Sequence, residues 1–185
     1  IVFGDWSSDV CSSDLGILCA TVLWAQSSIG LQVGLWKPSA LDENPSKPFA
    51  NIKGSGPSLG VFLASPEWQG FALQATAWGW RQSLSDGEVQ MLHLSADLKN
   101  LLISQTRIRP YVTYGAAVIL GRCQNSGLSQ QGMSINFGAG LEFNLLKSSG
   151  IALEYQYLYT VFKKAFGATD NYSGPKLTAK WFYRF

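Results

Sequence analysis

Charge is scarce in this 185-residue chain: 14% of its residues are Asp, Glu, Lys or Arg, against about 25% in an ordinary soluble domain. Disorder needs high charge and low hydrophobicity, so this composition argues against it. The formal net charge of +2 argues against a dedicated nucleic-acid binder. Long apolar runs are also missing. The longest, residues 16–25, falls well short of the ~20 residues that a membrane-spanning helix needs, and the mean hydropathy of +0.07 is too low for a helical membrane bundle. One histidine and three cysteines leave little for a metal centre. What is abundant is apolar and aromatic: 46% hydrophobic, 13% aromatic, 19 Gly and 7 Trp. Two classes fit, an all-β soluble domain or a β-barrel in a membrane.

The start of the chain calls for separate treatment. Residues 5–15, Asp-Trp-Ser-Ser-Asp-Val-Cys-Ser-Ser-Asp-Leu, resemble the codon-by-codon translation of a common short-read sequencing adapter. Residues 1–15 are therefore expected to be adapter sequence fused to a truncated frame, as happens in assembled metagenomic data. Without Asp5, Asp9 and Asp14 the remainder has fourteen basic and nine acidic residues, a net charge of +5. Residues 16–25 then read as the end of a signal peptide, with an apolar core closing on Ala25 before Gln26-Ser27-Ser28. The alternative is a first buried strand. With the signal removed, residues 26–185 form one domain with Cys123 as its only cysteine, so no intrachain disulfide is available.

The rest of the chain alternates. From Met133 to Leu145, Met133, Ile135, Phe137, Ala139, Leu141, Phe143 and Leu145 share one face, and Ser134, Asn136, Gly138, Gly140, Glu142 and Asn144 the other. A period of two over thirteen residues is a strand pattern and not a helical one. Similar patterns predict strands over 89–98, 108–121, 151–159 and 175–185, with noisier ones over 29–37, 58–65 and 70–82. That makes eight. Connections 65–69, 99–106 and 146–149 are short or intermediate, whereas 38–57, 83–88, 122–131 and 161–173 are more polar and mostly longer. Short turns at one end and longer loops at the other, with an even strand number, characterise transmembrane barrels. The predicted fold is all-β, an eight-stranded antiparallel up-and-down transmembrane β-barrel.

The polar face, rich in Gly, Ala, Ser, Thr and Asn, suits the cramped interior of eight strands. Its charges, Glu142, Glu154, Lys176, Lys180 and Arg184, are candidates for a salt-bridge network filling the lumen; a narrow ion path is the alternative. On the apolar face, Trp181, Tyr183 and Phe185 at one edge and Trp36 and Tyr159 near the other form the expected interfacial girdle.

Arg109-Pro110-Tyr111-Val112-Thr113-Tyr114-Gly115-Ala116, Phe137-Gly138-Ala139-Gly140-Leu141-Glu142-Phe143 and Ala152-Leu153-Glu154-Tyr155-Gln156-Tyr157 resemble strand motifs of the small outer-membrane β-barrel superfamily. That superfamily includes the OmpA transmembrane domain and the eight-stranded OmpX type. The resemblance implies a location in the outer membrane of a Gram-negative bacterium, contact with its lipid and lipopolysaccharide, and monomeric assembly. It also implies that Trp181, Tyr183 and Phe185 act as a C-terminal signal for the barrel-assembly machinery.

His93, Ser95 and Asp97 share one face and invite a hydrolase reading. His93-Leu94-Ser95 resembles the His-x-Ser of outer-membrane lipid A deacylases, but Ala96 follows where that family has Asn. Residues two apart on a strand are about 6.6 Å apart, too far for a direct nucleophile–base contact, so satisfied interior polar groups are the simpler reading. Cys123 is expected at the start of a loop, without a metal-ligating partner. Lys163 and Lys164, in the last loop, are placed to meet lipopolysaccharide phosphates or simply water. No cofactor, metal or nucleic-acid partner is implied. The function expected is structural or surface-interacting and non-catalytic, with a lipid A-modifying enzyme and a small passive channel as alternatives.

Overall fold

The computed structural model describes residues 27–39, 55–84, 87–103, 106–123, 129–166 and 169–185. The expected adapter at 1–15 and signal segment at 16–25 lie outside these residues. The strands are β1 (Ser28–Trp36), β2 (Gly56–Ala64), β3 (Phe71–Leu84), β4 (Gly87–Leu101), β5 (Ile108–Cys123), β6 (Ser129–Asn144), β7 (Ser149–Phe166), β8 (Thr169–Asn171) and β9 (Gly174–Arg184). Each barrel strand pairs antiparallel with its sequence neighbour, and β1 pairs with β9 to close the ring. Eight strands form the barrel; β8 only extends the edge of β7 beyond it.

Register sets the dimensions. Cross-strand partners lead from Phe162 on β7 through Gly132, Ile119, His93, Trp78, Gly60, Gln32 and Lys180. The path returns to β7 at Ala152, ten residues from its start. A shear of ten over eight strands, at standard spacings, tilts the strands by roughly 40° and gives a radius of about 8 Å. Such a barrel has room for side chains and little else.

The faces are polarised opposite to a soluble protein. Leu31, Val33, Leu59, Leu73, Ile135, Phe137, Leu153, Tyr159 and Trp181 point outward with half or more of their surface exposed. Gln74, Asp97, Arg109, Asn136, Glu142, Glu154 and Lys180 are buried inside. Given the strand tilt, the outward apolar belt from Leu120 down to Tyr183 is about 25 Å tall. A sheet whose exterior is apolar and whose interior is ionic is built for hydrocarbon.

Several expectations change. Trp36 is fully buried and faces the lumen instead of the girdle, because it shares strand parity with Gly30, Gln32 and Gly34. The described parts of 83–88, 122–131 and 161–173 are mostly strand: β3 and β4 are separated by residues 85 and 86 alone, β5 runs two residues past its expected end, β6 begins three residues early and β7 continues to Phe166. At the end away from the termini both faces of these ribbons carry polar residues, so the hydrophobic alternation lapses while the backbone ladder continues. Residues 37–55 separate β1 from β2. Cys123 is the last residue of β5, buried inside the barrel and not on a loop.

The turn at the terminal end between β2 and β3 has a definite type. Trp68 and Phe71 exchange both backbone hydrogen bonds (2.8 and 2.9 Å), and Gln69 and Gly70 between them have φ of 51° and 85°. Two consecutive left-handed residues match the right-handed twist of the flanking strands. Inside, aromatic residues crowd against glycines. Five large side chains, Phe62, Trp78, Tyr111, Phe162 and Phe182, are direct cross-strand partners of Gly30, Gly60, Gly140, Gly132 and Gly150. In each pair the aromatic side chain occupies space that a Cβ on the glycine would need. That is how an interior only about 8 Å in radius admits indoles and phenols.

Candidate functional site

The lumen holds the buried chemistry, in layers. Nearest the termini is a cluster centred on Glu142 of β6. Arg109 donates to it from β5 at 2.7 Å, and Lys99 of β4 and Arg184 of β9 donate as well. Arg109 also grips Glu67 of the β2–β3 turn with both terminal nitrogens, one contact being 2.9 Å. The turn is thereby drawn across the mouth of the barrel. One strand further round, Glu154 accepts from Lys180 and from the Tyr111 hydroxyl, each at 2.7 Å. Planar guanidinium forks and a carboxylate with two acceptor oxygens suit this many-partnered arrangement. A cavity of about 20 Å³ lies among Lys99, Glu142, Lys180 and Arg184, room for about one water.

The middle layer is uncharged apart from Asp97. Its carboxylate accepts from Ser95 Oγ (2.7 Å) and Asn136 Nδ2 (3.0 Å). Ser134 donates to Asn136 (3.1 Å) and Thr160 donates to Ser134 (3.0 Å), so one hydrogen-bonded chain crosses β4, β6 and β7.

The layer farthest from the termini is aromatic and apolar: Trp36, Trp78, Trp80, Met91, Ile119 and Phe162 pack together, all buried. Trp36 meets Trp78 and Trp80 edge-on at 5.4 and 5.1 Å. His93 stacks on Trp78 at 4.5 Å, and the Lys176 ammonium lies 3.7 Å from the centre of the same indole, a cation–π contact strengthened by exclusion of water. Tyr172, between β8 and β9, is buried against Phe162. Burial pushes its phenol up to about 12, with a smaller contribution from Cys123.

Of the charged residues singled out from sequence, the fold brings Glu142 to Arg184 and Glu154 to Lys180. Lys176 joins neither pair and sits on Trp78 instead. Sequence reasoning missed Arg109, Lys99 and Glu67. Arg109 and Lys99 share strand parity with interior residues, which was the available signal; Glu67 lies in a turn, where parity says nothing. Trp181, Tyr183 and Phe185 line the outer wall beside the terminal end, each about half exposed. Ser95 and Asp97 do touch, since their side chains lean together across the two-residue spacing. His93 takes no part: neither ring nitrogen has a hydrogen-bond partner among the described residues.

No protein-family model and no curated protein sequence matches the chain. Solved structures do. The neisserial surface protein A superposes with a TM-score of 0.63 at 11% identity, over 86% of this chain and 95% of that one. The N-terminal β-barrel domain of Pseudomonas aeruginosa OprF gives 0.59 at 16% identity, over 87% and 98%. Ail, the attachment invasion locus protein of Yersinia pestis, gives 0.50 at 16%, over 86% and 97%. The fold is that of the small outer-membrane β-barrels.

In this transmembrane barrel the lumen's contents decide what the interior can do. Ser95 meets the Asp97 carboxylate, and the one imidazole is stacked on an indole. Conduction needs a continuous open path. Here ion pairs occupy the terminal half and aromatic rings the other.

Proposed function

We propose that this chain is a non-catalytic protein of the bacterial outer membrane, a sealed barrel with a structural or surface-interaction role. The observation that carries the reading is the filled lumen, ionic at one end and aromatic at the other, with water-sized space between the charges. Its activity then belongs to the outer wall and to the residues beyond the far rim. In this reading the terminal end faces the periplasm. Trp181, Tyr183 and Phe185 engage the barrel-assembly machinery, and the folded protein is a monomer surrounded by lipid and lipopolysaccharide. Glu142, Glu154, Lys180 and Arg184, with Arg109 and Lys99, act as a structural plug.

The test is conductance across planar bilayers of the refolded protein, whose folding is verified by heat-modifiable migration in detergent gels. The sealed barrel gives no steady unitary current. Discrete channels abolished by bulky substitutions at the lumen wall would establish the passive-channel reading instead. Deacylation of lipid A that disappears in His93→Ala or Ser95→Ala would establish the enzyme.

A further inference from the structure

On the outer wall at the end away from the termini, Arg81 of β3, Gln90 of β4 and Arg122 of β5 stand side by side. Arg81 is the cross-strand partner of Gln90, and Gln90 of Arg122, so the two arginine Cα atoms are roughly 10 Å apart with the amide between them. All three have the strand parity of the lipid-facing residues. The row directly beneath, Gly79, Leu92 and Leu120, is apolar or bare, so the basic row sits where the apolar belt ends. A groove open to the outside runs down from it, lined by Arg81, Gln90, Gly79, Leu59, Gly34 and Val33. Gly79, whose missing side chain would point outward, makes its floor. Glu88, one step nearer the rim, accepts from Arg81 Nη2 and from Gln90 Nε2, each at 2.5 Å, and the Arg81 side chain is still 69% exposed.

An amphipathic ligand fits both parts, with an anionic head on the arginine row and a hydrocarbon tail in the groove. Arginine forks match phosphate oxygens in pairs, and a cation at the hydrocarbon boundary attracts the phosphates of the surrounding leaflet. We propose that Arg81, Gln90 and Arg122 bind the phosphorylated headgroup of one lipid of the leaflet at this end, whose acyl chain lies over Gly79 beside Leu59 and Val33. Glu88 holds Arg81 and Gln90 in place when the site is empty and competes with the phosphate for them. This rests on the outer-membrane reading above, in which that lipid is a phosphorylated glycolipid.

The experiment uses the folded protein in phosphatidylcholine nanodiscs, with bisphosphorylated lipid A, fully dephosphorylated lipid A and inorganic phosphate as probes. Bound lipid per barrel is counted by native mass spectrometry. Phosphorylated lipid A is expected to be retained over the dephosphorylated form, and each of Arg81→Gln and Arg122→Gln to weaken that retention roughly fivefold. Glu88→Gln is expected to tighten it by about two- to fivefold, a gain that misfolding cannot mimic. Gly79→Phe is expected to weaken both lipids by filling the groove. Equal retention of the two lipids, no effect of the double arginine variant, or inorganic phosphate binding as tightly as the lipid would each overturn the proposal. A wild-type chain that shows no heat-modifiable folded form would instead contradict the outer-membrane reading itself.

Discussion

Glu142 is the residue whose removal most sharply tests the lumen's electrostatics. Lys99, Arg109 and Arg184 all donate to its carboxylate, and its own side chain is 2% exposed. Glu142→Ala leaves three cations converging on a small hole. Breaking a buried ion pair from one side costs about 3–5 kcal/mol, because the remaining charge stays desolvated. Two features move this site to the low end of that range. Arg109 keeps Glu67, and Arg184 is 21% exposed and keeps a 2.8 Å bond to Asn144. The expected loss is about 3 kcal/mol for Glu142→Ala, and about 2 kcal/mol for Glu142→Gln, which retains an acceptor. Reversible urea unfolding in detergent micelles, followed by tryptophan fluorescence, measures both. The distinctive sign is recovery: adding Lys99→Met to Glu142→Gln removes an orphaned cation and restores about 1 kcal/mol. A loss below about 1 kcal/mol for Glu142→Ala, or a double variant weaker than Glu142→Gln alone, would refute the plug as an electrostatic unit.

Three further outcomes follow from particular contacts. A Cβ at Gly60 would lie 2.4 Å from both the Ala77 carbonyl oxygen and Trp78 Cβ, so Gly60→Leu destabilises the barrel by about 2–3 kcal/mol in the same unfolding assay, and Gly60→Ala, which meets the same atoms, costs part of that. Gly70→Val, at φ +85°, strains the two-residue turn by about 1–2 kcal/mol, and a Gly70→Asn variant recovers most of that because Asn tolerates the left-handed region. The Tyr172 phenol has a folded pKa above its unfolded value of 10, so its contribution to stability is complete below pH 10 and is lost as pH rises toward 12. Ultraviolet titration of Tyr172→Phe therefore loses one late-ionising tyrosine, and its stability falls less between pH 10 and 12 than that of the wild type.

Alternation made the barrel legible wherever one face meets lipid and the other is polar. On β6, Ile135 and Phe137 against Ser134 and Asn136 leave no choice of orientation. On β3, expected over 70–82 and found at Phe71–Leu84, the pattern is noisier because Trp78 and Trp80 point inward and Ala77 and Gly79 outward. Periodicity alone cannot tell an apolar lumen from an apolar exterior. The same ambiguity puts Trp36 on the expected girdle and hides the aromatic half of the lumen. The glycine–aromatic pairs depend on register between strands, which no single strand encodes. Glu142 and Glu154 could be singled out because a charge on an inward parity must find a partner. Arg109 carries the same parity signal, but its second carboxylate, Glu67, emerges only when the β2–β3 turn folds over the mouth.

The central claim is that one side of the barrel wall meets hydrocarbon while the other encloses a sealed lumen. Tryptophan quenching by acyl-chain-brominated lipid tests it most directly, in protein carrying Phe at Trp6 and Trp24. Quenching is expected to come from Trp181 and Trp68 on the outer wall and terminal turn, and to vanish in Trp181→Phe/Trp68→Phe while Trp36, Trp78 and Trp80 still fluoresce. Strong quenching that persists in that double variant would place the interior indoles against lipid and contradict the account.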